Sequence, residues 1–295
     1  MAGYSWAAAA YPPHVRQPLR SAPTSIPPRI GKSFVAWSPA LTLVELLLLS
    51  GAGAIAGLIN SVAGGGTIVS FPVAVALGLP PTVANATNAV ALTPGSIASA
   101  LAYRAELRKD KAILSLFLPP ACLGAVVGAF LLWRTPQKIF DAIVPLLVLF
   151  ATTLLLVQNL RTPKNIAQNE EWHVPQSKVT SWLLQLVIGI YGGYFGGGMG
   201  IMMLALLDRM GGAHIHRMNA VKSVLGAAIN GLASVLFIFL GVVHGPAAAF
   251  MAVGAILGGF AGAYVARRIR PSLVRWSVVV IGFGIAATLA YRRWG

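Results

Sequence analysis

The chain has 295 residues, of which 57% are hydrophobic and only 10% are charged. A soluble globular domain carries roughly a quarter charged residues, so this composition excludes a protein whose whole surface faces water. The 22 Lys and Arg residues outnumber the 7 Asp and Glu residues, which gives a formal charge of +15. In a soluble protein this excess would indicate binding to nucleic acid. Here the basic residues stand between apolar runs, so basic loops that fix membrane orientation explain them and no nucleic-acid partner is predicted.

Residues 1–40 differ from the rest of the chain. They contain Pro, Arg and Ser but no acid, and they lack the continuous apolar core and the cleavage site of a signal peptide. A segment of this composition cannot bury enough apolar surface to fold. The sequence therefore predicts a disordered basic N-terminal tail, with a transit peptide as the alternative.

Seven apolar runs follow this tail. Most of them reach the roughly 20 residues that an α-helix needs to cross a bilayer. The chain is therefore predicted to be an all-α integral membrane protein that lies in a lipid bilayer. The runs are 41–63, 82–103, 112–133, 138–158, 217–240, 246–266 and 272–291.

The first apolar run ends in a glycine-rich segment, which is followed by only a short apolar stretch. Each glycine costs about 1 kcal/mol relative to alanine in a helix interior, and the N–H groups that the break frees need partners inside hydrocarbon. The half-helix that follows would present N–H donors and the positive end of its dipole, which together bind anions. The pattern predicts an anion site, with close helix packing as the alternative. Its residues are Asn60, Gly64, Gly65, Gly66 and Thr67.

The second half of the chain repeats features of the first half in the same order, which indicates an internal duplication. The corresponding features are 64–66 with 196–198, Asn88 with Asn219, Gly95 with Gly226, and 123–129 with 257–263. The sequence thus predicts two multi-helix repeats, each with a glycine-broken helix. The expected boundaries are repeat 1 at 41–158, a polar linker at 159–178 and repeat 2 at 179–295.

Duplicated membrane halves are characteristic of secondary transporters, whose substrate site lies where the repeats meet. A glycine-interrupted segment at matching positions of both halves points to that site, so Gly196, Gly197 and Gly198 join the candidates. The small-residue stretches 123–129 and 257–263 have the spacing of a helix–helix seam and are predicted to pack. The sequence leaves open whether the repeats are parallel or inverted.

Polar residues within the apolar runs complete the predicted site. A Lys in a transmembrane helix costs roughly 2.5–3.5 kcal/mol, which an incoming anion would offset, although snorkelling to the interface is an equal alternative. Asn and Thr side chains can donate to an oxyanion without adding charge, and hydrogen bonding between helices is their alternative role. The candidates are Thr87, Asn88, Asn219, Lys222 and Asn230, of which Asn88 and Asn219 occupy equivalent positions of the two repeats.

Enzymatic chemistry finds little support in this sequence. No paired carboxylates, nucleophile triad or P-loop can be assembled, and the two histidines at 214 and 216 are too isolated to indicate a metal site. No cofactor or metal is therefore predicted. In the absence of a P-loop, transport would be driven by ion or solute gradients.

The segments 57–67, 84–96 and 102–107 resemble the sulfite exporter TauE/SafE family. The second half, with glycines 196–198 and the segment Asn219–Lys222, is similar to that family's second repeat. The resemblance covers about residues 41–292. It implies a multi-pass permease of the bacterial inner membrane for sulfur-containing anions such as sulfite, sulfonates or sulfoacetate.

The sequence as a whole predicts a secondary transporter for a small anion, favoured to be sulfite, a sulfonate or a related sulfur oxyanion, and no enzyme. The alternatives are a transporter of another small organic anion and an intramembrane enzyme acting on an anionic lipid. A scaffold whose glycines only pack helices is a further reading. Assembly into a homo-oligomer stays open at this point.

Overall fold

The computed structural model describes residues 40–107, 110–160, 177–209, 215–266, 268 and 271–294. Within these ranges all regular structure is helical, as the sequence predicts. The helices are α1 (Leu43–Val62), α2 (Thr67–Ala76), α3 (Pro81–Ala102), α4 (Arg104–Leu107), α5 (Lys111–Arg134), α6 (Gln137–Leu160), α7 (Lys178–Tyr194), α8 (Met199–Arg209), α9 (Ile215–Phe239), α10 (Gly245–Val265) and α11 (Pro271–Trp294). The predicted tail, apart from Ala40, and positions 161–176 of the predicted linker lie outside the described residues.

Every predicted apolar run falls on a helix. Among the described residues, α1, α5, α6, α9 and α10 are long and apolar enough to cross a membrane. Large apolar side chains such as Leu47, Val127, Phe150, Val187 and Val280 are exposed on the outside of the bundle. Such a surface suits lipid rather than water, and the chain is a multi-pass membrane protein.

Small residues hold α1 and α10 side by side. The backbone contacts pair Ser50 with Gly254, Ala54 with Gly258 and Leu58 with Gly262. Residue numbers rise together along both helices, so α1 and α10 run parallel. A Cβ at any of these glycines would overlap the neighbouring backbone, which is the small-residue packing expected of membrane helices.

The same arrangement joins α5 to α7. Gly124 lies against Leu186 and Gly128 lies against Ile190, so these two helices also run parallel. The prediction that the stretches 123–129 and 257–263 form helix–helix seams is confirmed.

Helices α3 and α9 cross in the centre of the bundle in opposite directions. The hydroxyls of Thr93 and Ser234 lie 3.1 Å apart, and those of Ser99 and Ser223 lie 2.9 Å apart. Residue numbers therefore rise along α3 as they fall along α9. These two helices are antiparallel.

Two opposite faces of the bundle are defined by the first turns of α5 and α10. On the Asp110 face, buried Asp110 forms an ion pair with Arg217, and the Tyr103 and His216 rings stack with centroids 6.2 Å apart. On the His244 face, the backbone N–H of His244 donates to Thr87 Oγ1 at 3.0 Å. The Asp110 face thus joins the starts of α5 and α9, and the His244 face joins the start of α10 to the side of α3.

Candidate functional site

The first glycine segment separates α1 from α2. Gly64 and Gly65 have φ angles of +82° and +94°, a left-handed conformation that side-chain-bearing residues rarely adopt. The chain therefore turns here, and the first N–H groups of α2 donate to carbonyl oxygens of the turn, as Ile68 does to Gly65 at 2.9 Å. The side chain of Asn60 closes the turn, because its Oδ1 accepts the Gly66 N–H at 2.7 Å.

A buried polar network supports this first segment from α3. Asn88 is 2% exposed, its Nδ2 donates to Thr67 Oγ1 at 3.2 Å, and its Oδ1 accepts the Ser70 hydroxyl at 2.5 Å. Both ends of the Asn88 amide are thus engaged with α2. Asn88 fixes the orientation of Thr67, the first residue of that helix.

The second glycine segment separates α7 from α8 and is supported differently. Gly196 and Gly198 have φ angles of +77° and +82°, so this turn also depends on glycine. The Tyr191 hydroxyl donates to the carbonyl oxygen of Gly197 at 2.5 Å. Aromatic packing continues from there, because the Phe195 and Phe71 rings meet edge to face at 5.5 Å.

The two glycine segments approach each other at Gly64 and Gly200. A Cβ added to Gly64 would lie 2.8 Å from the Gly200 backbone, and one added to Gly200 would lie 3.3 Å from the Lys222 side chain. A cavity of about 30 Å³ opens at this contact between the two halves. The predicted residues that line it are Asn60, Gly64, Thr67, Gly196 and Lys222.

Lys222 is the charged residue in this lining. It is 3% exposed, and its Nζ donates to Asn219 Oδ1 at 2.7 Å and to the Ser61 carbonyl oxygen at 3.3 Å. Both acceptors are neutral, and no carboxylate of the described ranges pairs with Lys222. The side chain therefore lies inside the protein and does not extend to the membrane interface.

Three serines of the cavity wall were missed by the sequence analysis, namely Ser96, Ser99 and Ser223. The hydroxyl of Ser99 donates to that of Ser61 at 2.9 Å and lies 2.9 Å from that of Ser223. The spacing of Ser96 and Ser99, which lie one helical turn apart in the apolar run 82–103, was the signal available. Serines in membrane helices commonly bond their own backbone, so this signal is weak.

The other candidates lie around the cavity, not in its wall. Asn219 holds the Lys222 ammonium, as described above. Thr87 bonds the start of α10 on the His244 face, and Asn230 is 4% exposed outside the lining. The remaining glycines, Gly65, Gly66, Gly197 and Gly198, shape the two turns without lining the cavity.

Comparison with known proteins matches residues 49–289 to the family model for the sulfite exporter TauE/SafE. A probable membrane transporter protein of Haemophilus influenzae is 25% identical over 246 residues, which cover 83% of this chain and 94% of that protein. The probable membrane transporter protein ORF9 of a Sinorhizobium species is 28% identical over 251 residues, or 83% and 92% of the two chains. The probable membrane transporter protein YfcA of Escherichia coli K12 is 26% identical over 240 residues, or 80% and 86%.

Proposed function

Since the chain belongs to the sulfite exporter TauE/SafE family and is a membrane transporter, we propose that it carries a small sulfur oxyanion, such as sulfite or a sulfonate, through the cavity between its two halves. The observation that carries this proposal is the buried Lys222 ammonium in the cavity wall. An ammonium has three donors, and two of them are used by neutral oxygens of the protein. The third donor and the uncompensated charge suit an anionic solute.

The energetic argument rests on the cost of a buried cation. A Lys within a membrane helix costs roughly 2.5–3.5 kcal/mol even on the lenient insertion scale, and such residues are usually functional. The carbonyl and amide oxygens around Lys222 reduce this cost but leave the charge itself unbalanced. A bound oxyanion neutralises this charge. The hydrogen bond between the ammonium and the oxyanion is charge-assisted and therefore stronger than one to a neutral oxygen.

Neutral donors complete the proposed site. The Thr67 hydroxyl, fixed by Asn88, and the Ser96 hydroxyl of α3 line the same cavity, whereas the Ser99 and Ser223 hydroxyls donate to Ser61 and to the Asn219 carbonyl oxygen. The first N–H groups of α2 and α8 donate to carbonyl oxygens of the glycine turns, and the positive ends of both helix dipoles approach the cavity. Small oxyanions accept hydrogen bonds from several directions, so a wall of hydroxyl and amide donors favours them over cations.

We infer that the two halves are an inverted duplication, each half containing one glycine-broken helix. In this duplication α7 is the equivalent of α1, and α10 is the equivalent of α5. The contact between α1 and α10 then corresponds to the contact between α7 and α5, and the helices of both pairs run parallel. The equivalent helices α3 and α9 are antiparallel, which supports a two-fold axis in the membrane plane rather than along the membrane normal. The equivalent residues Asp110 and His244 then fasten opposite faces of the bundle.

This arrangement suits transport by alternating access. A cavity of about 30 Å³ exceeds the ~10–15 Å³ that one water occupies but is tight for an oxyanion of four or more heavy atoms. The bundle thus represents a nearly closed state, and solute entry requires the halves to move apart. Rocking of one repeat against the other would open the cavity to the Asp110 face and the His244 face in turn.

The test is uptake of labelled sulfite and of methanesulfonate into proteoliposomes that contain the wild-type protein or Lys222→Met. We expect the variant to lose at least about tenfold in flux, equivalent to ~1.4 kcal/mol, because the solute loses its counter-charge. Lys178→Met removes an exposed lysine at the start of α7 and serves as the matched control with unchanged flux. Wild-type flux in Lys222→Met would remove this residue from the mechanism, and transport of other organic anions alone would change the substrate class.

A further inference from the structure

A second cation, Arg275, lies near the proposed site on α11. Val278 and Val279, which follow it by three and four residues, pack in one cluster with Ile59 and Ile201. Because residues three and four apart share a helix face, Arg275 lies on that same face, one turn closer to the start of α11. Ile59 and Ile201 are the chain neighbours of Asn60 and Gly200, which line the cavity, so this face of α11 lies behind the cavity wall and is not part of its lining.

The Arg275 side chain is only partly exposed, and its Nε is buried without a hydrogen-bond partner among the described residues. No carboxylate of the described ranges pairs with it. Ile59 of that cluster is two residues from Ser61, whose carbonyl oxygen accepts the Lys222 Nζ, so Arg275 and Lys222 approach the same part of α1. A buried donor without a partner destabilises the protein, so this arrangement calls for an explanation.

Two neighbouring cations without an acid between them favour a particular kind of ligand. Their mutual repulsion is strong in a medium of low dielectric constant, and one negative charge offsets only part of it. A doubly charged oxyanion offsets both charges. The planar guanidinium can in addition bind two oxygens of one such anion.

We propose that Arg275 acts with Lys222 to make the transporter select divalent oxyanions over monovalent ones. The role of Lys222 is to bind the solute in the cavity. The role of Arg275 is to add a second positive charge on the Asp110 side of that cavity, so that a solute with two negative charges is held more tightly. This inference rests on the proposed function and names the charge class of its substrate.

The experiment measures proteoliposome uptake of divalent thiosulfate and of monovalent methanesulfonate with Arg275→Gln. Thiosulfate flux should fall about tenfold, while methanesulfonate flux stays within about threefold of wild type. Arg275→Lys keeps the charge and should keep the preference for thiosulfate. Arg268→Gln removes an exposed arginine near the same end of the bundle, which lies over the Tyr264 ring, and should change neither flux.

Equal loss for both anions, or no loss for either, would overturn the role of Arg275. If Arg275→Gln does not fold, Arg275→Met serves in its place. It also removes the positive charge but keeps an apolar side chain, and the same two fluxes are measured. Failure of the proposed function has a different signature, because the wild type would then carry neither anion or Lys222→Met would transport normally. Wild-type uptake that favours methanesulfonate over thiosulfate would also contradict the inference.

Discussion

The two glycine segments make the same turn by different means. Each contains two glycines with positive φ, yet the first is held by the amide side chains of Asn60 and Asn88, whereas the second is held by the Tyr191 hydroxyl and by aromatic packing. The polar side chains of the first segment face the cavity, and the second segment with the start of α8 contributes Gly196, Met199 and Gly200. This difference suggests that the first segment determines which solute binds and that the second mainly shapes the space.

The largest difference between the two segments should come from alanine substitutions of their first left-handed glycines. Gly64→Ala places a side chain on a residue with a φ of +82°. The new Cβ would in addition lie 2.8 Å from the Gly200 backbone. In Gly196→Ala the φ is +77°, and the nearest atom is 3.2 Å away. We expect Gly64→Ala to abolish transport and to lower the melting temperature clearly, since strain alone costs about 1–3 kcal/mol.

Gly196→Ala should suffer the φ strain without the backbone collision, and therefore retain measurable flux. Melting temperature by intrinsic fluorescence and flux in proteoliposomes check the pair. Equal losses of flux and of melting temperature in the two variants would contradict the proposed difference between the two segments.

A smaller effect is expected from the amide that closes the first turn. Asn60→Ala leaves the Gly66 N–H without its acceptor, at a cost of about 1–3 kcal/mol, and removes an amide from the cavity wall. The apparent affinity for sulfite should fall about tenfold. Asn230→Ala changes a more deeply buried amide that lies outside the cavity wall and should leave the affinity within about twofold. Competition uptake gives both affinities, and equal losses would argue that Asn60 acts only through stability.

The smallest effect should follow from Tyr191→Phe. This variant removes only the hydroxyl that donates to the Gly197 oxygen, and one such bond contributes about 0.5–1.5 kcal/mol. We expect a slightly lower melting temperature and sulfite affinity close to wild type. If Tyr191→Phe lowered the affinity more than Asn60→Ala, the second segment would be the one that selects the solute.

Much of this fold could be predicted from the sequence, because apolar runs and glycine triplets are local signals. The helical runs and the seams fall where the pattern indicates. The inverted arrangement proposed for the two halves could not be predicted, since it is argued from contacts such as that between Ser99 and Ser223, which are distant in sequence.

The candidate site was predicted less well than the fold. Thr87 and Asn88 are neighbours in sequence but point about 100° apart on a helix, so one bonds the start of α10 while the other reaches Thr67. The cavity serines were missed because hydroxyls within apolar runs do not distinguish a site from ordinary membrane structure. Only the packing of α3 against α9 brings them near Lys222.

The central claim is that an oxyanion binds beside Lys222 between the two glycine segments. The most direct measurement is an experimental structure with selenite, a sulfite analogue whose selenium is located by anomalous scattering. The account predicts a selenium site in the cavity, with a selenite oxygen within about 3.2 Å of Lys222 Nζ. A selenite site elsewhere in a protein that transports sulfite would contradict it.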